Sequence, residues 1–214
     1  MEHKTVSLAD QIFMEIENNI LTGVYAKGEV FTEIGFSEKL GVSRTPIREA
    51  IRRLEQERLI DVTTKGIVIL GISKKDISDM YEVRLRIEGL ASRWAANSIS
   101  EEGKKELLEI VELQEFYTSK KDVDNIKNMD SKFHEIVYNN CGSIVLSDIL
   151  HQLHKKVTKY RKASVSNNER AFQSTKEHRE ILDAILSGNG ELAERLTVDH
   201  VKNAKKYIEK TVKE

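Results

Sequence analysis

The amino-acid sequence predicts a mainly α protein in two parts: a short N-terminal domain carrying a small β element, then an all-α antiparallel helical bundle. Three observations lead there. The only proline, Pro46, stands at the head of an amphipathic stretch; β-branched runs cluster at residues 59–70; and after Gly71 the chain reads as amphipathic helices without a strand-like segment. This divides the chain into domains at residues 1–72 and 73–214.

In the first domain, Thr32 is placed to cap a short helix ending near Leu40, with Phe36, Leu40 and Val42 as apolar contacts and Gly41 at the turn. A second helix starts at Ser43, whose hydroxyl is suited to accept from first-turn N–H groups, and Pro46 falls where those groups lack intrahelical partners. At roughly 100° per residue, Ile47, Ala50, Ile51 and Leu54 form one stripe, while Arg44, Thr45, Arg48 and Arg52 share an adjacent arc. Arginine is the commonest bidentate reader of guanine edges, and hydroxyls near a helix N-terminus suit phosphate oxygens. The pattern is a helix-turn-helix whose second helix fits a DNA major groove. Two runs follow, Leu59-Ile60-Asp61-Val62 and Gly66-Ile67-Val68-Ile69-Leu70, around Thr63-Thr64-Lys65-Gly66, and suggest a hairpin wing.

Charge is nearly balanced over the 214 residues, with a net of −1. Residues 1–72 carry 9 Lys/Arg against 11 Asp/Glu, a net of −2, whereas residues 39–58 hold 6 basic against 3 acidic. Positive potential is therefore local to the region of the second helix, as a DNA contact needs. The single Cys141 excludes an intramolecular disulfide, no apolar run approaches membrane-spanning length, and Met1–Asp10 lacks a signal peptide's apolar core, so a cytoplasmic protein is expected.

In the second domain, helices are expected at about 73–97, 100–119, 122–140, 143–163, 168–187 and 190–211, with Ser73, Ser100, Asp122 and Ser143 as caps. Asp130 and His134 are i,i+4 neighbours beside the stripe Ile126, Met129, Phe133 and Val137. His178 is centred among Ile181, Leu182 and Ile185, and His200 is flanked by Leu196, Ala204 and Tyr207. Buried imidazoles and a buried carboxylate need partners, so these four residues are either hydrogen-bonded core groups or ligands of a divalent ion such as Zn, Ni, Mn or Fe. His151 falls opposite its helix's stripe and His154 at its rim, so both are expected at the periphery, and His3 in a loose terminus. Arg84 is centred on the stripe Ile77, Met80, Ile87 and Ala91; it requires either an ion pair with Glu88, four residues on, or an anionic ligand.

Residues 8–70, with Leu8–Leu21 as a first helix, Gly23-Val24-Tyr25-Ala26-Lys27-Gly28, and Gly41 through Ala50, resemble the winged-helix domain of the GntR family of bacterial transcription regulators. The resemblance implies a homodimer reading a palindromic double-stranded operator, with Arg44, Thr45 and Arg48 at DNA-contacting positions, Ser43 and Arg52 on phosphate, and Lys65-Gly66 at the wing tip. Pro46 belongs to the same contacting segment. Arg58 stands where such sequences usually carry Gly, and Gly35 interrupts the preceding helix at a cost of about 1 kcal/mol relative to Ala.

Tyr81-Glu82-Val83-Arg84 with Glu88, Asp130-Ser131-Lys132-Phe133-His134, Glu177-His178 and Asp199-His200 resemble the FCD effector domain of FadR-type GntR regulators. That resemblance implies a metal, Zn before the others, held by Asp130, His134, His178 and His200. It also implies a small carboxylate effector completing the metal shell, with Arg84 and, more weakly, Arg161 as anchors. The expected function is a transcription regulator, a repressor by family analogy, whose operator affinity the effector modulates. Two rivals are a metal-dependent hydrolase or lyase, and a winged-helix interaction module with a structural metal.

Overall fold

The computed structural model describes residues 6–164 and 169–211, without the side chains of residues 159–164 and 211. Two compact units emerge, Met1–Ser73 and Lys74–Glu214. The first runs α1 (Leu8–Leu21), β1 (Val30–Phe31), α2 (Glu33–Leu40), α3 (Arg44–Gln56), β2 (Ile60–Thr63) and β3 (Gly66–Ile69). Its core joins Ile12, Phe13 and Ile16 of α1 to Phe36 of α2, Ile47 and Leu54 of α3, and Ile67 and Ile69 of β3. The stripe expected on α3 is the one that is buried, namely Ile47, Ala50, Ile51 and Leu54.

Local chemistry explains the boundaries. Thr32 accepts from the Gly35 N–H at 2.9 Å, and Gly41 closes α2 in the left-handed conformation at φ 66°. The cap expected at Ser43 is different: its backbone is extended as a cap requires, but its side chain makes no capping hydrogen bond. Elsewhere in the chain the capping oxygen of Ser7, Thr32, Ser100 and Asp122 accepts from the residue three positions on. At Ser43 that position is Pro46, which has no N–H to give. The Ser43 hydroxyl is thereby left exposed at a helix N-terminus.

The wing is a two-residue turn at Thr64-Lys65, with Thr63 opposite Gly66. The sheet has a strand more than the sequence suggests, in the order β1-β3-β2, because Val30–Phe31 is too short to show an alternating pattern. Gly66 is not at the tip, where the resemblance puts it, but opens β3. At φ 125°, with an added Cβ only 2.6 Å from the Phe31 carbonyl oxygen, glycine is what lets β1 lie against β3.

The second unit consists, among the described residues, of α4 (Lys74–Ser98), α5 (Glu101–Lys120), α6 (Val123–Asn139), α7 (Ile144–Ser164), α8 (Glu169–Leu186) and α9 (Gly190–Thr211). Ser100 and Asp122 cap α5 and α6, and the Ser143 hydroxyl accepts from the Leu146 N–H at 3.2 Å. Glu82 with Lys205, Ser92 with Thr197 and Arg93 with Glu194 show α4 and α9 running antiparallel. Gln114 with His178 and Thr118 with Thr175 show the same for α5 and α8. The core gathers Ala91, Ala95, Leu107, Val111, Phe133, Val137, Leu150, Leu182 and Ile185. Among the described residues no helix is long and apolar enough to cross a membrane.

Arg58 illustrates a local rule broken in the fold. The Leu59 N–H bonds to the Leu54 carbonyl and the Arg58 N–H to that of Glu55, which places Arg58 at φ 56°, the left-handed position that ends a helix and favours glycine. Arg58→Gly should raise the stability of the first unit by about 1 kcal/mol in chemical denaturation, the relief of left-handed strain exceeding glycine's added unfolded-state entropy.

Candidate functional site

Three of the sequence-selected residues converge inside the helical unit. His134 of α6, His178 of α8 and His200 of α9 are all buried, and one ring nitrogen from each lies within 4.8 Å of the others. The ring centroids of His178 and His200 are 4.8 Å apart and those of His134 and His178 are 5.1 Å apart. Asp130, one turn before His134, is buried as well, with its Oδ1 3.8 Å from His178 Nε2.

What surrounds each ring decides which nitrogen is offered. His134 Nδ1 lies 3.1 Å from Glu88 Oε1, His178 Nδ1 lies 2.9 Å from Gln114 Oε1, and His200 Nδ1 lies 2.7 Å from Glu177 Oε2. A carboxylate or amide oxygen only accepts, so in each pair Nδ1 carries the proton and donates. In a neutral ring that donates from Nδ1, Nε2 is a bare lone pair, and His178 Nε2 is buried without any hydrogen-bond partner. A neutral imidazole whose Nδ1–H is held by an acceptor while Nε2 faces inward is the pattern of a metal-ligating histidine. An orphaned buried nitrogen is costly unless something fills the gap.

Burial disfavours the charged form at two of the rings. Burial pushes His200 down to about 4 and His178 well below the usual histidine range. Burial would raise Glu88 and Glu177, but Arg84 and His134 outweigh it at Glu88, which stays well below the carboxylate range, and His200 and Arg170 hold Glu177 at about 2. Both acids therefore remain carboxylates, the form that accepts Nδ1–H.

Arg84 forms the ion pair with Glu88, through Nε at 2.6 Å and Nη2 at 3.0 Å, and the Tyr138 hydroxyl donates to the same carboxylate at 2.9 Å. The Arg161 side chain lies outside the described residues. His154 is a correction: expected at the rim, it is buried, its ring centroid is 4.8 Å from that of His134, and neither of its nitrogens has a partner. Its position four residues after Leu150 and three before Val157, both buried, is the signal for its inward face. His151 is half-buried and pairs with Asn139. Gln114, Glu177 and Arg170, with no role assigned from sequence, are buried polar residues on otherwise apolar stripes. Arg170 Nη2 donates to Glu177 Oε2 at 2.6 Å and to the His200 carbonyl at 3.2 Å.

In the first unit, Ser43, Arg44, Thr45, Arg48, Arg52 and Lys65 are exposed, and Pro46 and Gly66 half-buried. Arg44 and Arg48 share one carboxylate oxygen of Glu33 on α2, at 3.1 and 2.8 Å. Exposed pairs of this kind contribute under about 1 kcal/mol each, so a nucleic-acid phosphate competes with Glu33 on favourable terms.

The histidine shifts carry a pH dependence in metal-free protein. Below the ordinary histidine value of 6.5 the unfolded chain takes up a proton that folded His200 refuses until about 4, so stability falls across that window, by about 3 kcal/mol from this residue alone. Denaturant titrations of metal-free protein from pH 7 to pH 4 should show this loss; a flat profile would mean that His200 is solvated in the fold.

Comparison with known proteins places both units. The FCD domain family matches residues 79–203 and "Bacterial regulatory proteins, gntR family" matches residues 8–68. The chain is 26% identical to the Bacillus subtilis "Uncharacterized HTH-type transcriptional regulator YdhC", over 95% of this chain and 92% of that protein. It is 23% identical to the Escherichia coli "HTH-type transcriptional repressor RspR", over 95% and 90%. The solved structure of "E. coli McbR/YncC" shares the fold, with a TM-score of 0.71 at 20% identity over 96% of this chain and 99% of that one. These relatives are regulators rather than enzymes, and the chain belongs to the GntR family of bacterial transcription regulators, with an FCD domain as its C-terminal half.

Proposed function

We propose that the chain is a cytoplasmic, homodimeric repressor whose affinity for a palindromic operator answers to a small carboxylate bound at a divalent metal site in the helical unit. The observation that carries the reading is the convergence of the His134, His178 and His200 rings with each Nδ1 held by an acceptor. Asp130 supplies the fourth ligand in this reading, 3.8 Å from His178 Nε2. The metal, zinc before nickel, manganese or iron, supplies a Lewis-acidic anchor for a carboxylate oxygen. Glu88, Gln114 and Glu177 orient the rings, and Arg84, which has five N–H donors and spends two on Glu88, keeps others for the effector. We assign residues 1–72 to DNA binding and residues 73–214 to effector binding and dimerisation.

On the DNA side, Arg44, Thr45 and Arg48 read base edges. Ser43, with its hydroxyl unused by the helix, sits beside Pro46 and contacts phosphate with Arg52, while Lys65 and Gly66 belong to the wing. The effector acts by linkage: it shifts operator affinity only by its unequal affinity for the DNA-competent and incompetent states, commonly by about 1 to 3 kcal/mol.

Two variant sets test the reading. Arg44→Ala and Arg48→Ala should each weaken operator binding by about 1 to 3 kcal/mol in a fluorescence titration; undiminished affinity in both would remove α3 from the groove. His134→Ala and His178→Ala should lose the metal that elemental analysis finds in the wild-type protein. Equal metal content in all three proteins would refute the site.

A further inference from the structure

A second group of cations lies outside the histidine cluster and touches it through a single layer of side chains. Between α8 and α9 opens a pocket of about 610 Å³, rimmed by Lys176, Lys206 and Lys210, with Glu169 as the acid in its lining. Arg170, Gln173 and Asn203 line it too. All three donate to Glu177: Arg170 Nη2 at 2.6 Å, Gln173 Nε2 at 3.4 Å and Asn203 Nδ2 at 2.8 Å. Glu177 in turn holds His200 Nδ1. The layer between solvent and the cluster is therefore the set of groups that fixes one histidine ring.

Arg170 is the link. Its side chain is only 7% exposed, and while Nη2 is engaged, Nη1 is buried without a hydrogen-bond partner. A guanidinium nitrogen left in that state is a costly vacancy for an acceptor. Among the described residues four cations line the pocket against the Glu169 carboxylate, and with Glu177 set against Arg170 a formal excess of +2 remains, which calls for more than a single negative charge. Phe172 and Tyr207 add aromatic wall beside the cations, room for a small organic group.

We propose that this pocket binds a doubly charged small oxyanion of the phosphate-monoester kind, which accepts from Arg170 and the lysine rim and thereby steadies Glu177 and His200. An anion on Nη1 leaves the Nη2 bonds in place, so occupancy of the pocket and occupancy of the histidine site reinforce one another, and the coupling is reciprocal. The coupling rests on the metal reading above; the anion site does not.

Full-length zinc-loaded protein is titrated with glycerol 3-phosphate at constant ionic strength, with glycerol as the uncharged control. Melting temperature and the rate of zinc loss to a chelator are followed. The proposal predicts a saturable rise in melting temperature and zinc release slowed several-fold, neither of them produced by glycerol. The Lys176→Ala/Lys206→Ala/Lys210→Ala variant, altered only at exposed positions, should bind about tenfold more weakly or worse while melting as wild type without ligand. Arg170→Lys should keep the charge and lose the effect on zinc release. Absence of saturable stabilisation in the wild type, or its survival in the triple variant, would overturn the anion site. Stabilisation without slowed zinc release would overturn the coupling. A wild-type protein that takes up no zinc would remove the metal reading instead, and the melting data would still decide the anion site.

Discussion

Three Nδ1–H hydrogen bonds organise the helical unit. Each ties a histidine to an acceptor on a different helix: Glu88 of α4 to His134 of α6, Gln114 of α5 to His178 of α8, and Glu177 of α8 to His200 of α9. All three acceptors are buried, and the two carboxylates are held in turn, Glu88 by Arg84 and Tyr138, Glu177 by Arg170, Gln173 and Asn203. A buried ion pair adds little net stability over a well-packed apolar pair, yet removing one member strands the other. The network's yield is orientation: three rings brought together, each with its Nδ1 held by an acceptor, at the expense of a core that could have been apolar.

The first unit meets the opposite constraint. There the charged groups must stay available, and α3 keeps Arg44, Arg48 and Arg52 exposed on one side while Ile47, Ala50, Ile51 and Leu54 anchor the other. Glu33 pairs with two of these arginines in the protein by itself, without burying them. Pro46, in the first turn of α3, lacks the N–H that Ser43 would have capped, so the hydroxyl stays free of the helix. A weaker cap is the structural cost of an N-terminus with exposed polar groups.

Much of this was legible in the sequence because helical periodicity places residues on faces without needing to know the partners. The α-helical spans, the core stripe of α3 and the inward turn of His134, His178 and His200 follow from spacing of 3.6 residues. Periodicity did not resolve His154, which lies at a stripe edge where a small rotation of α7 decides between rim and core. Neither could it assign Gln114, Glu177 or Arg170 their roles, since these depend on pairings between helices distant in the chain. β1 escaped because two residues carry no alternation, and the lost cap at Ser43 because the proline that announces a helix also deletes the capping donor. Arg58 is the reverse case: its departure from the family's glycine was visible, and its positive φ is the structural reason that glycine is usual there.

The direct test of this account is the protonation state of the three rings. In metal-free, ¹⁵N-labelled protein at neutral pH, long-range nitrogen–proton correlation spectra should show His134, His178 and His200 as neutral Nδ1–H tautomers, each losing its free Nε2 signal position when zinc is added. An Nε2–H tautomer or a charged imidazolium at any of the three, unchanged by zinc, would contradict it.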